Sequence, residues 1–198
     1  MRVIAGIFIL LLIAGCAGSS PMPRDHFYRL PDPTLQSEPV QIVLGDIFVE
    51  QFITDGLHRE RAILYTNDPL SIELGQYHYH HWIDSPTRLI RDQLVQFLRV
   101  SNVASRVFDT PDVSAGLHIY GKIRRFERQH NEASDSIIVS LDLRVMQSGL
   151  ESPLLLKLYT EQIDFGGQSM NKAVVAFAEA LSLIFSRLIE DIKQNLVE

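Results

Sequence analysis

The sequence has very little cysteine, and this scarcity limits its covalent chemistry. Among its 198 residues there is one cysteine, Cys16. A single thiol cannot form an intramolecular disulfide, and the chain has none of the paired-cysteine motifs that hold structural zinc. We therefore expect hydrophobic burial and hydrogen bonds, without disulfides, to stabilise the fold.

A concentrated block of positive charge is also missing. The chain carries 18 Lys and Arg residues against 24 Asp and Glu residues, which gives a formal net charge of −6. These charges are dispersed, so the sequence predicts no nucleic-acid partner. Arg124, Arg125 and Arg128, near Lys122, form one short basic stretch. It is either a solvated strand face or a surface for anionic lipid headgroups or an acidic partner.

The common catalytic motifs are absent as well. The chain has no Gly-x-Ser-x-Gly elbow, no phosphate-binding Walker loop and no Gly-x-Gly-x-x-Gly. Ser169 and Lys172 have the Ser-x-x-Lys spacing of penicillin-interacting serine enzymes, but neither partner motif of that class follows. Ser169 is better explained as a helix cap. We predict that the protein is not an enzyme and has no catalytic residues.

The longest apolar run lies at the N-terminus. Arg2 precedes the apolar residues 3–12, and Ile13-Ala14-Gly15-Cys16 follows. Charge, apolar run and small residues in this order are typical of a secretory signal peptide, and the run is shorter than the roughly 20 residues of a spanning helix. The ending looks like a bacterial lipobox, in which the chain is cut between Gly15 and Cys16. The alternative is an uncleaved anchor helix.

The lipobox interpretation divides the chain into three parts. Residues 1–15 are a lipoprotein signal peptide, residues 16–26 a lipidated N-terminus and flexible linker, and residues 27–198 a single domain. Diacylglycerol and an acyl chain on Cys16 are the only attached groups we expect, with no further cofactor. Ala17 after the cysteine resembles the pattern of enterobacterial outer-membrane lipoproteins. We therefore expect a domain anchored in the outer membrane and facing the periplasm of the cell envelope.

Alternating hydrophobicity predicts most of the domain to be β-strand. Earlier strands are indicated at residues 40–49, 61–66, 71–79 and 103–108, and another begins near residue 117. The clearest alternation puts Asp142 and Arg144 opposite an apolar face, where they would meet water or a partner. Leu156 and Leu158 continue the apolar set on the following strand. Short turns between these last three strands predict an antiparallel meander. The apolar face of the clearest strand consists of Ile137, Val139, Leu141, Leu143 and Val145.

Two amphipathic helices complete the predicted fold. Ser85-Pro86 is a favourable helix start, and apolar residues then recur at three- and four-residue spacing until about Ser101-Asn102. A longer helix is predicted from Ser169 to about Leu196. We expect an α+β fold, with a mostly antiparallel sheet and both helices packed on one face.

The segment Tyr77-His78-Tyr79-His80-His81-Trp82 is a candidate metal site. On a regular strand His78 and His80 would share a face, and neutral imidazole binds zinc, copper or nickel. A structural zinc site needs about four ligands, and no further metal-binding motif accompanies the pair. The alternative is an aromatic strand end that leads into the first helix. We predict no metal site, although ligands from distant segments would change that interpretation.

The order of motifs resembles a known family. A Tyr28-Arg29-Leu30 segment follows the linker, and a His81-Trp82 pair precedes Ser85-Pro86 and a helix that contains Arg91, Leu94 and Leu98. With the lipobox, this order is similar to the ABC-type transport auxiliary lipoprotein family. The resemblance marks a small set of residues as structural or docking positions, beside the cleavage and lipidation site at Gly15 and Cys16. These are Tyr28, Leu30, Trp82, Pro86 and Leu94.

The resemblance implies a non-catalytic role in transport across the cell envelope. It implies a docking subunit for a complex of an ABC permease and ATPase with proteins that carry an MCE (mammalian cell entry) domain. Such systems move phospholipid or another hydrophobic molecule. Homo-oligomers are possible in this family. Two alternatives stay open, namely a lipoprotein that itself binds lipid or lipopolysaccharide, and a purely structural envelope lipoprotein.

Overall fold

The structure, a computed structural model, describes residues 22–33, 44–67, 72–111, 114–130 and 135–197. The predicted signal peptide, the Gly15–Cys16 cleavage site and most of the linker lie outside these residues. Residues 40–43 of the first predicted long strand lie outside them too. The first strand begins at His26, within the segment predicted as linker.

Nine strands and two α-helices make up the described part of the chain. The early strands are β1 (His26–Tyr28), β2 (Asp46–Val49), β3 (Ile53–Thr54), β4 (Ala62–Thr66) and β5 (Gly75–Trp82), with a 3₁₀ turn at Gly56–Arg59 between β3 and β4. Helix α1 (Pro86–Val100) follows. The later elements are β6 (Arg106–Phe108), β7 (Leu117–Gln129), β8 (Ser136–Gln147), β9 (Leu155–Asp164) and α2 (Met170–Val197).

Strand β7 lies at the centre of the sheet. On one side it pairs antiparallel with β8, which pairs antiparallel with β9, so the predicted meander is present. On its other side β7 pairs in parallel with β2, β3 and β4 in succession. Strand β6 lies beyond β2, and β5 and β1 lie beyond β4. The α+β class with two helices is confirmed. The sheet is mixed, because helix α1 provides the long crossover that parallel neighbours need.

Local sequence explains both ends of helix α1. Ser85 has extended backbone and precedes Pro86, whose fixed φ suits the first helical position. The helix ends at Ser101, and Asn102 then adopts a left-handed conformation with a φ of 53°. Asparagine tolerates this conformation and therefore often ends helices. The predicted start and end of this helix are both confirmed.

The core lies between the sheet and the two helices. The apolar set of β8 is buried as predicted, and one cluster joins it to both helices. At its centre the Trp82 ring lies 5.1 Å from the Phe126 ring and 5.3 Å from the Phe177 ring, measured between centroids. These three side chains come from β5, β7 and α2. They therefore connect distant parts of the chain.

The buried face of β9 is the opposite of the one predicted. Leu156 and Leu158 are 66% and 58% exposed, whereas Tyr159 is only 2% exposed. The pairing register explains this outcome, because Leu141 of β8 lies opposite Tyr159 and shares its inward face. Helix α2 covers that face. The leucines consequently point to the opposite side of the sheet.

Strand β2 lies within the segment predicted as a strand at residues 40–49. Its Ile47 and Val49 join the core between sheet and helices. Phe48 is buried on the other side, where its ring meets the edge of the His118 ring at 5.7 Å. The described part of this strand therefore buries side chains on both faces of the sheet.

Candidate functional site

The side of the sheet opposite the helices carries two rows of exposed or partly exposed side chains across β3, β7, β8 and β9. We call this surface the outer face. The hydrogen-bonded register defines both rows. The first row consists of Ile53, Lys122, Asp142 and Leu158, and the second of Tyr120, Arg144 and Leu156.

The outer face places apolar side chains at its margins and charged ones between them. Ile53 is 61% exposed at one margin, and the two leucines of β9 lie at the other. Between them the Arg144 guanidinium lies 4.4 Å from the centroid of the Tyr120 ring, a cation–π contact. A cleft of about 250 Å³ on this face is lined by residues of both rows. A second, shallow cleft of about 350 Å³ lies where β9 meets the start of α2. This surface therefore offers both apolar area and fixed polar groups.

The short basic stretch is paired with carboxylates throughout. Lys122 lies 2.5 Å from Asp55, and Arg124 donates to Asp142 at 2.8 Å. The other two arginines pair with Glu127 and Asp135. Arg128 is the exception to the prediction of a solvated face, because only 3% of its side chain is exposed. The stretch is therefore no free cationic surface for lipid headgroups.

A second cluster of polar aromatic side chains lies around β1, β4 and β5, toward the opposite edge of the sheet from β9. We call it the histidine–tyrosine cluster, and a β-bulge creates it. The register between β4 and β5 passes from Ala62 opposite His81 to Leu64 opposite Gln76, so the strands lose regular alternation between these pairs. The bulge brings Tyr77 and His80 together, with their ring centroids 5.5 Å apart. The cluster consists of His26, Tyr28, Tyr65, Tyr77, His80 and His130.

Two hydrogen-bonded chains run through this cluster. In the first, the Tyr28 hydroxyl lies 2.8 Å from Nδ1 of His80, whose ring stacks on His26 with centroids 5.3 Å apart. In the second, the Tyr77 hydroxyl lies 2.5 Å from Nε2 of His130. Nδ1 of His130 lies 2.9 Å from Oδ1 of Asp135, and Oδ2 of the same carboxylate accepts from Arg128. The second chain therefore connects β5 to His130, directly after β7, and to Asp135, directly before β8.

The local environment shifts the pKa of several groups in these chains. Burial lowers the pKa of His80. Electrostatic repulsion from His26, Arg128 and His81 lowers this pKa further. Burial also raises the pKa of the Tyr77 phenol. For Asp135, burial opposes ionisation, but hydrogen bonds from Arg128 and His130 outweigh it, so its pKa is lowered. Near neutral pH this arrangement favours a neutral His80 imidazole in the first chain and an ionised Asp135 in the second.

The structure places most of the resemblance-marked residues in the core. Leu30, Trp82, Pro86 and Leu94 are buried, so they support packing and present little surface to a partner. Tyr28 is half-buried and belongs to the histidine–tyrosine cluster. The histidine–tyrosine cluster adjoins these buried residues, because Tyr28 lies opposite Trp82 in the β1–β5 register.

Sequence reasoning missed several members of both surfaces. His130 directly follows β7 and Asp135 directly precedes β8, and neither carries a local signal that predicts contact with Tyr77. Leu156 and Leu158 were recognised as strand residues but placed inward. The two chains of the cluster arise from pairings between residues more than 50 positions apart, such as Tyr28 with His80. Local patterns contain no information of that kind.

The candidate metal pair is separated by the bulge. His80 contacts Tyr28, His26 and Tyr77, whereas the ring contact of His78 is with Tyr79. Within the residues that the structure describes, there is no group of three or more His, Cys, Asp or Glu side chains placed to hold a metal ion. Over the same residues, no helix combines the length and apolar character needed to cross a membrane.

Comparisons with known proteins identify a shared fold. Neither a protein-family model nor a curated protein matches the sequence. The crystal structure of protein XCC0632 from Xanthomonas campestris, a DUF330 protein, is similar with a TM-score of 0.74 at 16% identity, covering 87% of this chain and 100% of that one. The crystal structure of an uncharacterized protein gives 0.69 at 13% identity, covering 85% and 99%.

Lipoprotein GNA1162 from Neisseria meningitidis is a weaker match. Its TM-score is 0.33 at 9% identity, with 76% of this chain and 99% of that chain covered. We draw no conclusion about this chain from a TM-score this low. The two stronger matches show that the fold of this chain recurs in other proteins, and they are silent on its activity.

Proposed function

We propose that this protein is a membrane-anchored auxiliary lipoprotein that docks an ABC/MCE-type envelope transport system moving phospholipid or another hydrophobic molecule. The outer face is the observation that supports this role. Both helices cover one side of the sheet, while the other side exposes Ile53, Leu156 and Leu158 around charged residues. Large apolar side chains that are exposed together on one face are typical of protein interaction sites.

The charges of the outer face favour a protein partner over a bilayer surface. Lys122 and Arg124 are already paired with Asp55 and Asp142, so these two cations have little charge left to attract anionic lipid. A folded partner would gain apolar contact with the leucines, and fixed charged groups would orient it. Charged groups of this kind contribute more to specificity than to affinity.

Anchoring at Cys16 would allow a partner to occupy the outer face even if the contact between them is weak. A lipid on that residue holds the domain at the membrane, and the linker restricts it to a small volume around its partner. Tethering raises the effective concentration of a partner to the millimolar range for short flexible linkers. The outer face could then be well occupied without a large interface. In this role the protein acts by docking and performs no chemistry.

In-cell photo-crosslinking tests the proposal. A photoreactive amino acid would replace Leu158 on the outer face, and in a matched control it would replace Glu190, an exposed residue of α2. A tag after Glu198 leaves Cys16 free for processing. We expect the Leu158 position to crosslink an MCE-domain protein or a permease subunit, and the Glu190 position to do so far less. Crosslinks only to outer-membrane proteins or to other copies of this chain would overturn the proposal.

A second candidate function is direct binding of a lipid. One observation favours it, namely a mainly apolar cleft of about 350 Å³ where β9 meets the start of α2. Phe165 and Val175 line it, and Lys172 lies at its rim. Lipid that copurifies with the native protein, and is lost in a Val175→Asp variant but retained in Leu158→Ser, would support this function over docking.

A further inference from the structure

Strand β1 is held by a short backbone ladder and by histidine contacts. It pairs with β5 over three residues, and His26 lies opposite His80. Beyond this ladder, the Ile83 amide donates to the Tyr28 carbonyl at 2.8 Å. The side-chain contacts centre on histidines: His26 stacks on His80, the Tyr28 hydroxyl bonds to Nδ1 of His80, and the Phe27 ring lies 5.6 Å from the His81 ring.

The chain immediately after β1 is held in a different way. Leu30 is buried in the core, and the Gln93 side chain of α1 donates to the Pro31 carbonyl at 2.6 Å. Phe27, by contrast, is 58% exposed. Short edge segments with few buried apolar contacts open at low free-energy cost. Strand β1 can therefore detach while Leu30 keeps the following chain in place.

Protonation acts directly on the histidine contacts. We call the state in which β1 is paired with β5 the closed state. In it His80 stacks on His26, so charging both rings would place two positive charges about 5 Å apart. Arg128 adds a third positive charge nearby. The closed state therefore favours a neutral His80, whose pKa is lowered first by burial and then by these neighbours. Its contribution to closure is complete above about pH 6.5 and is lost as pH falls through the lowered pKa.

The other groups around His80 oppose this effect only weakly. His81 lies 3.7 Å from Asp25, and its protonation would strengthen that pair, but the Asp25 side chain is 57% exposed and the pair is worth little. Arg61 lies over the Phe27 ring at 5.4 Å and keeps its charge at every relevant pH. Tyr28 and Tyr77 have raised pKa values and stay neutral.

We propose that β1, where the anchored segment joins the domain, is a pH-sensitive latch that is closed at neutral pH and opens as the pH becomes acidic. Opening would free residues 26–29 and lengthen the linker by up to about 14 Å, at 3.3–3.6 Å per extended residue. The domain would then reach farther from its membrane under acidic conditions. Only this consequence rests on the proposed function; the latch itself is a property of the isolated protein.

Amide hydrogen exchange of the full chain in detergent micelles tests the latch. Exchange would be followed by mass spectrometry at pH 7.5 and pH 5.0, and each rate divided by its intrinsic rate at the same pH. We expect protection of the peptide that covers residues 26–30 to fall by roughly fourfold or more at pH 5.0, the factor that repulsion between two unit charges about 5 Å apart supplies even in bulk water. Peptides from β8 should keep their protection at both pH values.

Variants identify the responsible histidine. His80→Gln keeps an oxygen that can accept from Tyr28 but cannot become charged, so β1 should remain protected at pH 5.0. His26→Gln changes an exposed residue, removes the second charge without disturbing the core, and should reduce the response. His78→Gln is the matched control and should behave like the unmodified chain. Equal β1 protection at both pH values in the unmodified chain would overturn the latch, as would an undiminished response in both His80→Gln and His26→Gln.

The latch and the docking role fail independently. Hydrogen exchange uses the purified protein without any partner, whereas photo-crosslinking at Leu158 concerns the outer face. Loss of the exchange response with intact crosslinks would reject the latch alone. Loss of the crosslinks with an intact exchange response would reject the docking role alone.

Discussion

The two faces of strand β9 have opposite environments although their residues alternate along one segment. Tyr159 is covered by α2 and almost fully buried, while its neighbour Leu158 is mostly exposed. The more polar side chain is therefore the buried one. Whether a residue of this strand is buried depends on which face the helix covers. Its own hydrophobicity does not decide it.

Polar contacts make burial of Tyr159 possible. Its hydroxyl donates to Oδ2 of Asp191 at 2.5 Å, and Lys157 donates to the same oxygen at 2.8 Å. Burial and then Asp191 raise the pKa of Tyr159, so the phenol stays protonated. The inner face thus accepts polar groups where α2 satisfies them, as buried polar groups require. The outer face offers exposed leucines with no such cover in the described residues. The following predictions test this contrast.

The largest effect on the free energy of unfolding is expected for Trp82→Ala, on the face of the sheet that the helices cover. Trp82 is 1% exposed and packs against Phe126 and Phe177. Truncating a buried tryptophan should lower the free energy of unfolding by about 3–5 kcal/mol. Urea denaturation would measure it. A loss below about 1 kcal/mol would mean that the inner side tolerates a cavity, and the contrast between the faces would fail.

Gly121→Ala should have the next largest effect. A methyl group on Gly121 would overlap the ring of Phe52, which is itself confined in the core. We expect overpacking to cost about 1–3 kcal/mol in urea denaturation. Gly116→Ala is the matched control, because its nearest neighbour is the Asp46 carbonyl oxygen at 3.8 Å. Equal stability of the two variants would show that Phe52 moves aside freely.

Tyr159→Phe should have a smaller, pH-dependent effect. It removes one hydrogen bond to Asp191, a loss of about 1–2 kcal/mol at pH 7. Burial opposes ionisation of Asp191, but Lys157 and Tyr159 outweigh it and hold its pKa below the usual value. This stabilisation is present above about pH 4 and is lost as pH falls through the lowered pKa.

The measurement for Tyr159→Phe is urea denaturation between pH 7 and pH 2. The stability difference from the unmodified chain should shrink on acidification. Tyr79→Phe, at an exposed position, is the control and should differ little at any pH. A difference that stays constant with pH would contradict a role for Asp191.

The smallest effect on stability is expected on the outer face. Leu158→Ser should change the free energy of unfolding by less than about 0.5 kcal/mol, because the side chain is mostly exposed. If the outer face docks a partner, crosslinking from a neighbouring photoreactive position should nevertheless drop sharply. A large loss of stability would instead show that Leu158 is packed within its own chain.

The recognisable parts of the fold are those with local signals. Ser85-Pro86 predicted the start of α1, and alternation predicted β8 with its correct inward face. The face of β9 was not predictable in this way, because both sets of alternating residues include leucine. Leu155 and Tyr159 lie on the inner face, and Leu156 and Leu158 on the outer one.

The candidate sites depended even more on tertiary structure. The motif residues were recognised through a resemblance, yet most of them proved to be core, and only Tyr28 entered a candidate site. No local signal predicted the pairing of β1 with β5 that places His80 beside His26. Contacts of this kind form between segments far apart in the chain, so their partners cannot be read from neighbouring residues.

The sequence by itself determined both helices, most of the strands, their order, and the motifs on which the lipid-anchor prediction depends. Periodicity and capping act over a few residues, so a single segment contains enough information to specify them. Only the tertiary structure decided the parallel order around β7, the buried face of β9 and the two surfaces. The physical reason is that alternation specifies two faces for each strand, while the packing of α2 and the pairing of distant strands select which face is buried.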